Sequence, residues 1–78
     1  MSSDRLIAIC ARVFNVAPDA LTNDSGPDSV ATWDSLGAMT LLAAVDEEFG
    51  VRLPLAAAAR ITSIGDLRIA LKGKGIDV

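Results

Sequence analysis

Ser35 is the residue of this 78-residue chain whose type and position best suit covalent chemistry. It lies in the run Trp33-Asp34-Ser35-Leu36, after a long polar segment and at the predicted start of a helix. The first N–H groups of a helix lack partners within the helix, and the helix dipole favours an anion there. A phosphodiester on the Ser35 hydroxyl would lie in that field without a dedicated cation. A serine at a helix start is a capping residue in most proteins, so position alone leaves both interpretations open.

Other candidates for chemistry are weak. The chain has no His, which removes the commonest general base and a favoured zinc ligand. Cys10 falls on the apolar face of a predicted helix and is expected to pack in the core. Asp46, Glu47 and Glu48 are adjacent on a predicted helix, where side chains diverge and do not converge on a metal ion. The sequence therefore predicts a protein that is not an enzyme and holds no metal.

Composition restricts the possible partners. The formal net charge is −3 and no basic stripe is visible, which is unfavourable for nucleic acid and suits basic protein surfaces instead. No apolar run approaches the length of a membrane span, and the first residues lack the layout of a signal peptide. A lone cysteine fits a reducing compartment, so a cytoplasmic location is expected.

Hydrophobic periodicity and punctuation residues predict four helices. The first covers about residues 3–15, with Asp4 in its first turn. The second covers about residues 35–49, with Asp34 as N-cap and Gly50 as C-cap. A short third helix covers about residues 54–60, opened by Pro54. A fourth follows a capping-box variant and is ended by glycines; the residues concerned are Ser63, Asp66, Gly73 and Gly75.

These elements predict an all-α fold, a small four-helix bundle with three longer helices and one short one, in a single domain over residues 1–78. Leu21 and Val30 are expected to anchor the long loop after the first helix, and Trp33 to pin it against the bundle. The loop should let the first two helices run in similar directions. The predicted buried stripe of the second helix is Leu36, Met39, Leu42, Ala43, Val45 and Phe49.

Several ordered motifs resemble those of acyl carrier proteins. Asp34-Ser35-Leu36 begins an apolar helix that ends in residues 45–51, and Leu53-Pro54 and residues 60–67 follow with family-like spacing; residues 18–22 resemble the family's loop start. The resemblance implies that a phosphopantetheinyl transferase, with coenzyme A and Mg²⁺, attaches a 4'-phosphopantetheine arm to Ser35. The arm's thiol would then carry acyl groups as thioesters between enzymes.

The resemblance also assigns roles to neighbouring residues. Asp34 would cap the helix and contact the transferase. Leu36 is expected either on an exposed rim, where it would touch partner enzymes, or in the core. The remaining expected partner contacts are Gly37, Thr40, Asp46 and Glu47. The partners implied are the transferase and acyltransferase, synthase or ligase enzymes, which a monomer would serve in turn.

Departures from the family pattern bear on the pathway. Gly37, Ala38 and Thr40 are uncharged where carriers of fatty acid synthesis are acidic, and residues 55–59 are also apolar. Together with Trp33, this resembles discrete carriers of polyketide or other specialised pathways. The alternatives are a fatty acid carrier, an acidic helical inhibitor or immunity-type module, and a carrier domain of a larger synthase. Cargo in this family can tuck between helices, so an acyl chain beside Ile61 and residues 56–59 is expected to raise the melting temperature.

Overall fold

The computed structural model describes residues 4–78, and all regular secondary structure in that range is helical. Its helices are α1 (Arg5–Phe14), α2 (Ser35–Phe49), α3 (Ala56–Arg60) and α4 (Ile64–Gly73), with a 3₁₀ turn at Pro18–Ala20. The predicted all-α bundle of three longer helices and one short helix, with a long loop after the first, is confirmed. None of the helices in the described part of the chain is long and apolar enough to cross a membrane.

The ends of α1 differ slightly from the prediction. Asp4 is the N-cap and not part of the first turn, because its Oδ1 accepts a hydrogen bond from the Ile7 N–H at 3.1 Å. The predicted start at Ser3 lies outside the described residues. Asn15 adopts a left-handed conformation with φ of 57°, so α1 ends at Phe14. The caps therefore place α1 between Asp4 and Asn15, and its end comes one residue before the predicted one.

The remaining caps follow the sequence closely. Asp34 caps α2 and Gly50 ends it with φ of 68°, as predicted. α3 begins at Ala56, two residues after the predicted start at Pro54. The Pro54 carbonyl accepts a hydrogen bond from the Ala57 N–H, which forms a tighter turn before the helix. Ser63 caps α4, whereas Asp66 reaches past it to the Thr62 N–H at 3.1 Å. In the usual capping box the side chain of Asp66 would accept from the N–H of the cap residue Ser63, but here it accepts from the residue before the cap.

The buried face of α2 was predicted only in part. Leu41 and Val45 are its buried residues, whereas Leu36, Met39 and Ala43 are exposed. The predicted stripe was therefore wrong at Met39 and Ala43, whereas the sequence had left Leu36 open between rim and core. Apolar residues surround α2 on almost every side, so periodicity does not identify the face that α1 covers.

Helices α1 and α2 run in opposite directions, so the prediction of similar directions was wrong. Arg5, at the start of α1, contacts Glu48 near the end of α2 at 3.0 Å. Phe14, at the end of α1, stacks on Trp33 just before α2, with ring centroids 4.7 Å apart. The long loop leaves and returns at one end of α1 and uses its length to cover the core with Leu21, Val30 and Trp33.

The loop is held on the start of α4 as well as on α1. The Ser25 carbonyl accepts from the Ile64 N–H at 2.9 Å, and the Asn23 carbonyl accepts from the Gly65 N–H at 2.8 Å. These bonds satisfy the first donors of α4 with loop backbone. Ile76 folds back after α4, where its N–H donates to the Leu71 carbonyl at 3.0 Å.

Candidate functional site

Ser35 is the first residue of α2 and is exposed. Asp34 occupies the capping position, since its Oδ1 accepts from the Gly37 N–H at 2.8 Å. The Ser35 hydroxyl is therefore not the cap of this helix. Among the described residues, the N–H groups of Ser35 and Leu36 donate to no backbone or side-chain acceptor. The site consequently offers an accessible hydroxyl beside two free donors.

The backbone just before Ser35 is tied to the end of α1. The Thr32 hydroxyl donates to the Phe14 carbonyl at 2.7 Å. Trp33 is buried and stacks on the Phe14 ring, which confirms that it pins the loop. Periodicity gives no signal for Thr32, because its partner lies 18 positions earlier.

Gly37 packs against this same segment. A Cβ atom at Gly37 would lie 2.4 Å from the Thr32 carbonyl oxygen and 3.2 Å from a Phe14 ring carbon. The fold therefore leaves no room for a side chain at Gly37. The lack of charge at this position consequently gives no information about the protein's partners. This packing accounts for the glycine, and the partner contact expected at Gly37 from the sequence stays a prediction.

An exposed apolar surface runs from Ser35 along α2. Leu36 is 72% exposed, which decides between rim and core in favour of the rim, and Leu55 is 65% exposed. Met39 is half exposed and lies outside the core. It borders an outer groove of about 220 Å³ between α2 and the segment before α3, lined also by Leu42, Ala43, Asp46, Arg52, Leu53 and Leu55.

A much smaller space lies between α2 and α3. This inner crevice is lined by Trp33, Ala38, Leu41, Leu42, Ala58 and Ile61. Its volume of about 10 Å³ is at the lower limit for a single water molecule. The space between these helices is closed in this conformation.

The carboxylates at the end of α2 face the protein's own arginines. Glu48 contacts Arg5 at 3.0 Å and Arg12 at 4.0 Å. Asp46 lies 3.8 Å from Arg52. Glu47 is exposed and has no ion-pair partner within residues 4–78. The acidic cluster that the sequence shows is thus largely compensated within the molecule.

Cys10 lies in the core, as predicted. The side chain is fully buried on the inner face of α1, and burial raises the pKa of the Cys10 thiol to about 12. A buried thiol with such a pKa is inert as a nucleophile at neutral pH. Within the described residues, no cluster of Cys, Asp or Glu side chains has the geometry to hold a metal ion.

The family model described as "phosphopantetheine attachment site" matches residues 4–71. The chain therefore belongs to the acyl carrier protein family, as its sequence resemblance implied. It is a phosphopantetheine-carrying protein, and the prosthetic group of this family, 4'-phosphopantetheine, is covalently attached. Carrier domains of the family are typically non-catalytic and interact with phosphopantetheinyl transferases and acyl-handling enzymes. A comparison with curated proteins gave no match for this chain.

Proposed function

We propose that this protein is a non-catalytic acyl carrier, one domain over residues 1–78, that bears its phosphopantetheine arm on Ser35. The observation that supports the proposal is that the cap and the free hydroxyl at the start of α2 belong to two different residues. Asp34 provides the cap, which leaves the Ser35 hydroxyl exposed and uncommitted. Because Asp34 is the capping residue, the alternative interpretation of Ser35 as a cap no longer applies.

The residues around Ser35 fit a phosphodiester. The free N–H groups of Ser35 and Leu36, with the helix dipole, stabilise negative charge at this position. In loading, the Ser35 oxygen forms a bond to the pantetheine-side phosphorus of coenzyme A and a pyrophosphate P–O bond breaks. Adenosine 3',5'-bisphosphate leaves, and the hydroxyl proton passes to a base outside this chain. The thiol of the attached arm carries acyl groups as thioesters.

Loading is tested by intact mass after incubation with coenzyme A, Mg²⁺ and a broad-specificity transferase. One phosphopantetheine should be added to the wild-type protein and to Ser29→Ala, a matched change at another exposed serine. Ser35→Ala should prevent the addition while the fold survives, because a change at an exposed helix start costs at most about 1 kcal/mol. Loading of Ser35→Ala would refute the site.

The proposed partner surface is apolar near Ser35. Its expected contacts are Leu36, Thr40 and Leu55, with Glu47 as the unpaired carboxylate further along α2. Asp34 is expected to contact the transferase as well as cap the helix. Asp46, an expected contact from the sequence, belongs to the outer groove and pairs with Arg52. Two of the three carboxylates at the end of α2 are compensated, which also argues against an acidic inhibitor.

This surface favours enzymes of a polyketide or other specialised acyl pathway over those of fatty acid synthesis. Complementary charge mainly speeds the encounter between partners, and exposed charges are screened over about 8 Å at physiological salt. Because this surface has few unpaired charges near the arm, the rate at which partners bind to it should depend little on salt concentration. We expect it to work as a cytoplasmic monomer.

Transfer from a fatty acid acyltransferase to the holo protein, measured across a salt series, tests the pathway. The wild-type protein should be a poor substrate. A Thr40→Glu, Ala43→Glu variant, altered at two exposed positions of α2, should accept acyl groups faster at low salt. Gly37 is unsuitable for such a variant because it has no room for a side chain. Wild-type acylation as fast and as salt-dependent as that of a fatty acid carrier would favour the fatty acid alternative.

A further inference from the structure

Thr32 contacts both α1 and α2, although its side chain is exposed. Its hydroxyl donates to the Phe14 carbonyl at 2.7 Å, one of the carbonyls that the end of α1 leaves without a helical partner. Its own carbonyl oxygen packs over Gly37 so closely that a Cβ atom there would lie 2.4 Å away. Thr32 thus joins the end of α1 to the first turn of α2.

The two residues between Thr32 and Ser35 are also fixed. Trp33 is buried against Phe14, and Asp34 accepts from the Gly37 N–H. Thr32, Trp33 and Asp34 therefore each have a defined contact, whereas the Ser35 side chain makes no hydrogen bond with the described residues. The Ser35 hydroxyl has no hydrogen-bond partner in the described part of the chain, but the backbone just before it is fixed by these contacts.

We infer that Thr32 is a positioning residue for the loading of Ser35, an inference that rests on the proposed function. Phosphoryl transfer requires the attacking oxygen in line with the bond that breaks, and small misplacements of a reacting group are costly. The first turn of a helix frays readily when nothing holds it. The hydrogen bond from Thr32 to Phe14 anchors this turn to α1, so its loss should slow the transfer step more than it weakens binding to the transferase.

Thr32→Val removes the hydroxyl at nearly constant shape, and Thr32→Ser retains it. Thr62→Val is the matched control, because the Thr62 hydroxyl also donates one hydrogen bond, to Asp66 at 2.9 Å, at the start of a different helix. Loading kinetics are measured with each carrier as the varied substrate. For Thr32→Val we expect kcat to fall about tenfold with KM unchanged. Thr32→Ser should restore kcat, and Thr62→Val should match the wild type.

Amide hydrogen exchange provides a readout that does not depend on loading. The Gly37 amide, which donates to Asp34, should exchange faster in Thr32→Val, while the Leu41 amide in the core should not change. The inference is overturned if Thr32→Val loads at the wild-type rate, if Thr62→Val slows loading equally, or if Thr32→Ser does not restore it. Failure of the wild-type protein to load would overturn the proposed function itself.

Discussion

At Gly37, helix propensity and packing act in opposite directions. Glycine in a helix is less favourable than alanine by about 1 kcal/mol, which argues for a side chain there. The carbonyl oxygen of Thr32 and the Phe14 ring occupy the space that the side chain would need. The obstacle is partly backbone, which does not rotate away as the end of a flexible side chain would.

We expect Gly37→Ala to lower the free energy of unfolding by about 1–3 kcal/mol, because overpacking outweighs the gain in propensity. Gly73→Ala is the matched control: Gly73 is also helical, but a Cβ atom there would meet nothing within 4 Å. That variant should be neutral or more stable. Urea unfolding of both proteins measures the difference, and a Gly37→Ala protein as stable as Gly73→Ala would contradict the packing argument.

At the scale of elements, Arg68 connects three parts of the chain. From α4, its guanidinium donates to Asp4 Oδ2 at 2.8 Å and to Asn23 Oδ1 at 3.1 Å. Asp4 caps α1 and Asn23 lies in the long loop, so one side chain holds α1, α4 and the loop together. Burial alone would raise the pKa of Asp4, but hydrogen bonds from Arg68 and the Ile7 N–H outweigh it and place the pKa below the ordinary 3.8.

This pairing predicts a pH-dependent effect of Asp4→Asn. A carboxyl group with a lowered pKa in the folded state stabilises the protein above its ordinary pKa, and the stabilisation is lost as pH falls through the folded value. Asparagine keeps the cap but removes the charge. The variant should be less stable than wild type by about 1 kcal/mol near neutral pH, a difference that should shrink on acidification.

Urea unfolding at a series of pH values measures this difference. Asp28→Asn, a change at an exposed carboxylate outside the Arg68 contacts, should follow the wild-type pH dependence. A gap between Asp4→Asn and wild type that stays constant down to about pH 3 would mean that the Arg68 pairing does not depend on the charge of Asp4.

At the scale of the molecule, α1, α2, α4 and the loop share one core, and Cys10 is fully buried in it. Labelling of Cys10 with a thiol reagent should therefore be slow in the native protein, and its rate should rise with urea in parallel with the unfolded fraction. Full denaturation should give immediate labelling, which serves as the control. Rapid native labelling would show that the core opens locally at α1.

The closed inner crevice bears on how cargo affects stability. At about 10 Å³, the space between α2 and α3 has no room for an acyl chain unless the helices separate. The rise in melting temperature expected from the sequence stays a prediction, and equal melting temperatures for the holo and acylated forms would contradict it. Differential scanning calorimetry on a series of acyl lengths would test this. A melting temperature that climbs with each added methylene would show that the helices part to bury the chain.

Features that depend on a few neighbouring residues were predictable from the sequence. Asp34, Gly50 and Ser63 cap helices where expected, because a cap requires only a side chain or a left-handed residue within one turn. The same locality identified Ser35 at the start of α2. Motif order along the chain indicated the family, which the match over residues 4–71 shows.

Features that depend on distant residues required the tertiary structure. α2 is apolar on almost every side, so only its packing against the rest of the molecule decides that Leu41 is buried and Met39 exposed. The antiparallel course of α1 and α2 and the packing role of Gly37 both follow from contacts of Phe14 with residues 18 or more positions later. Sequence periodicity describes a single helix and carries no information about which neighbour covers each face, because that choice is made by packing across the whole molecule.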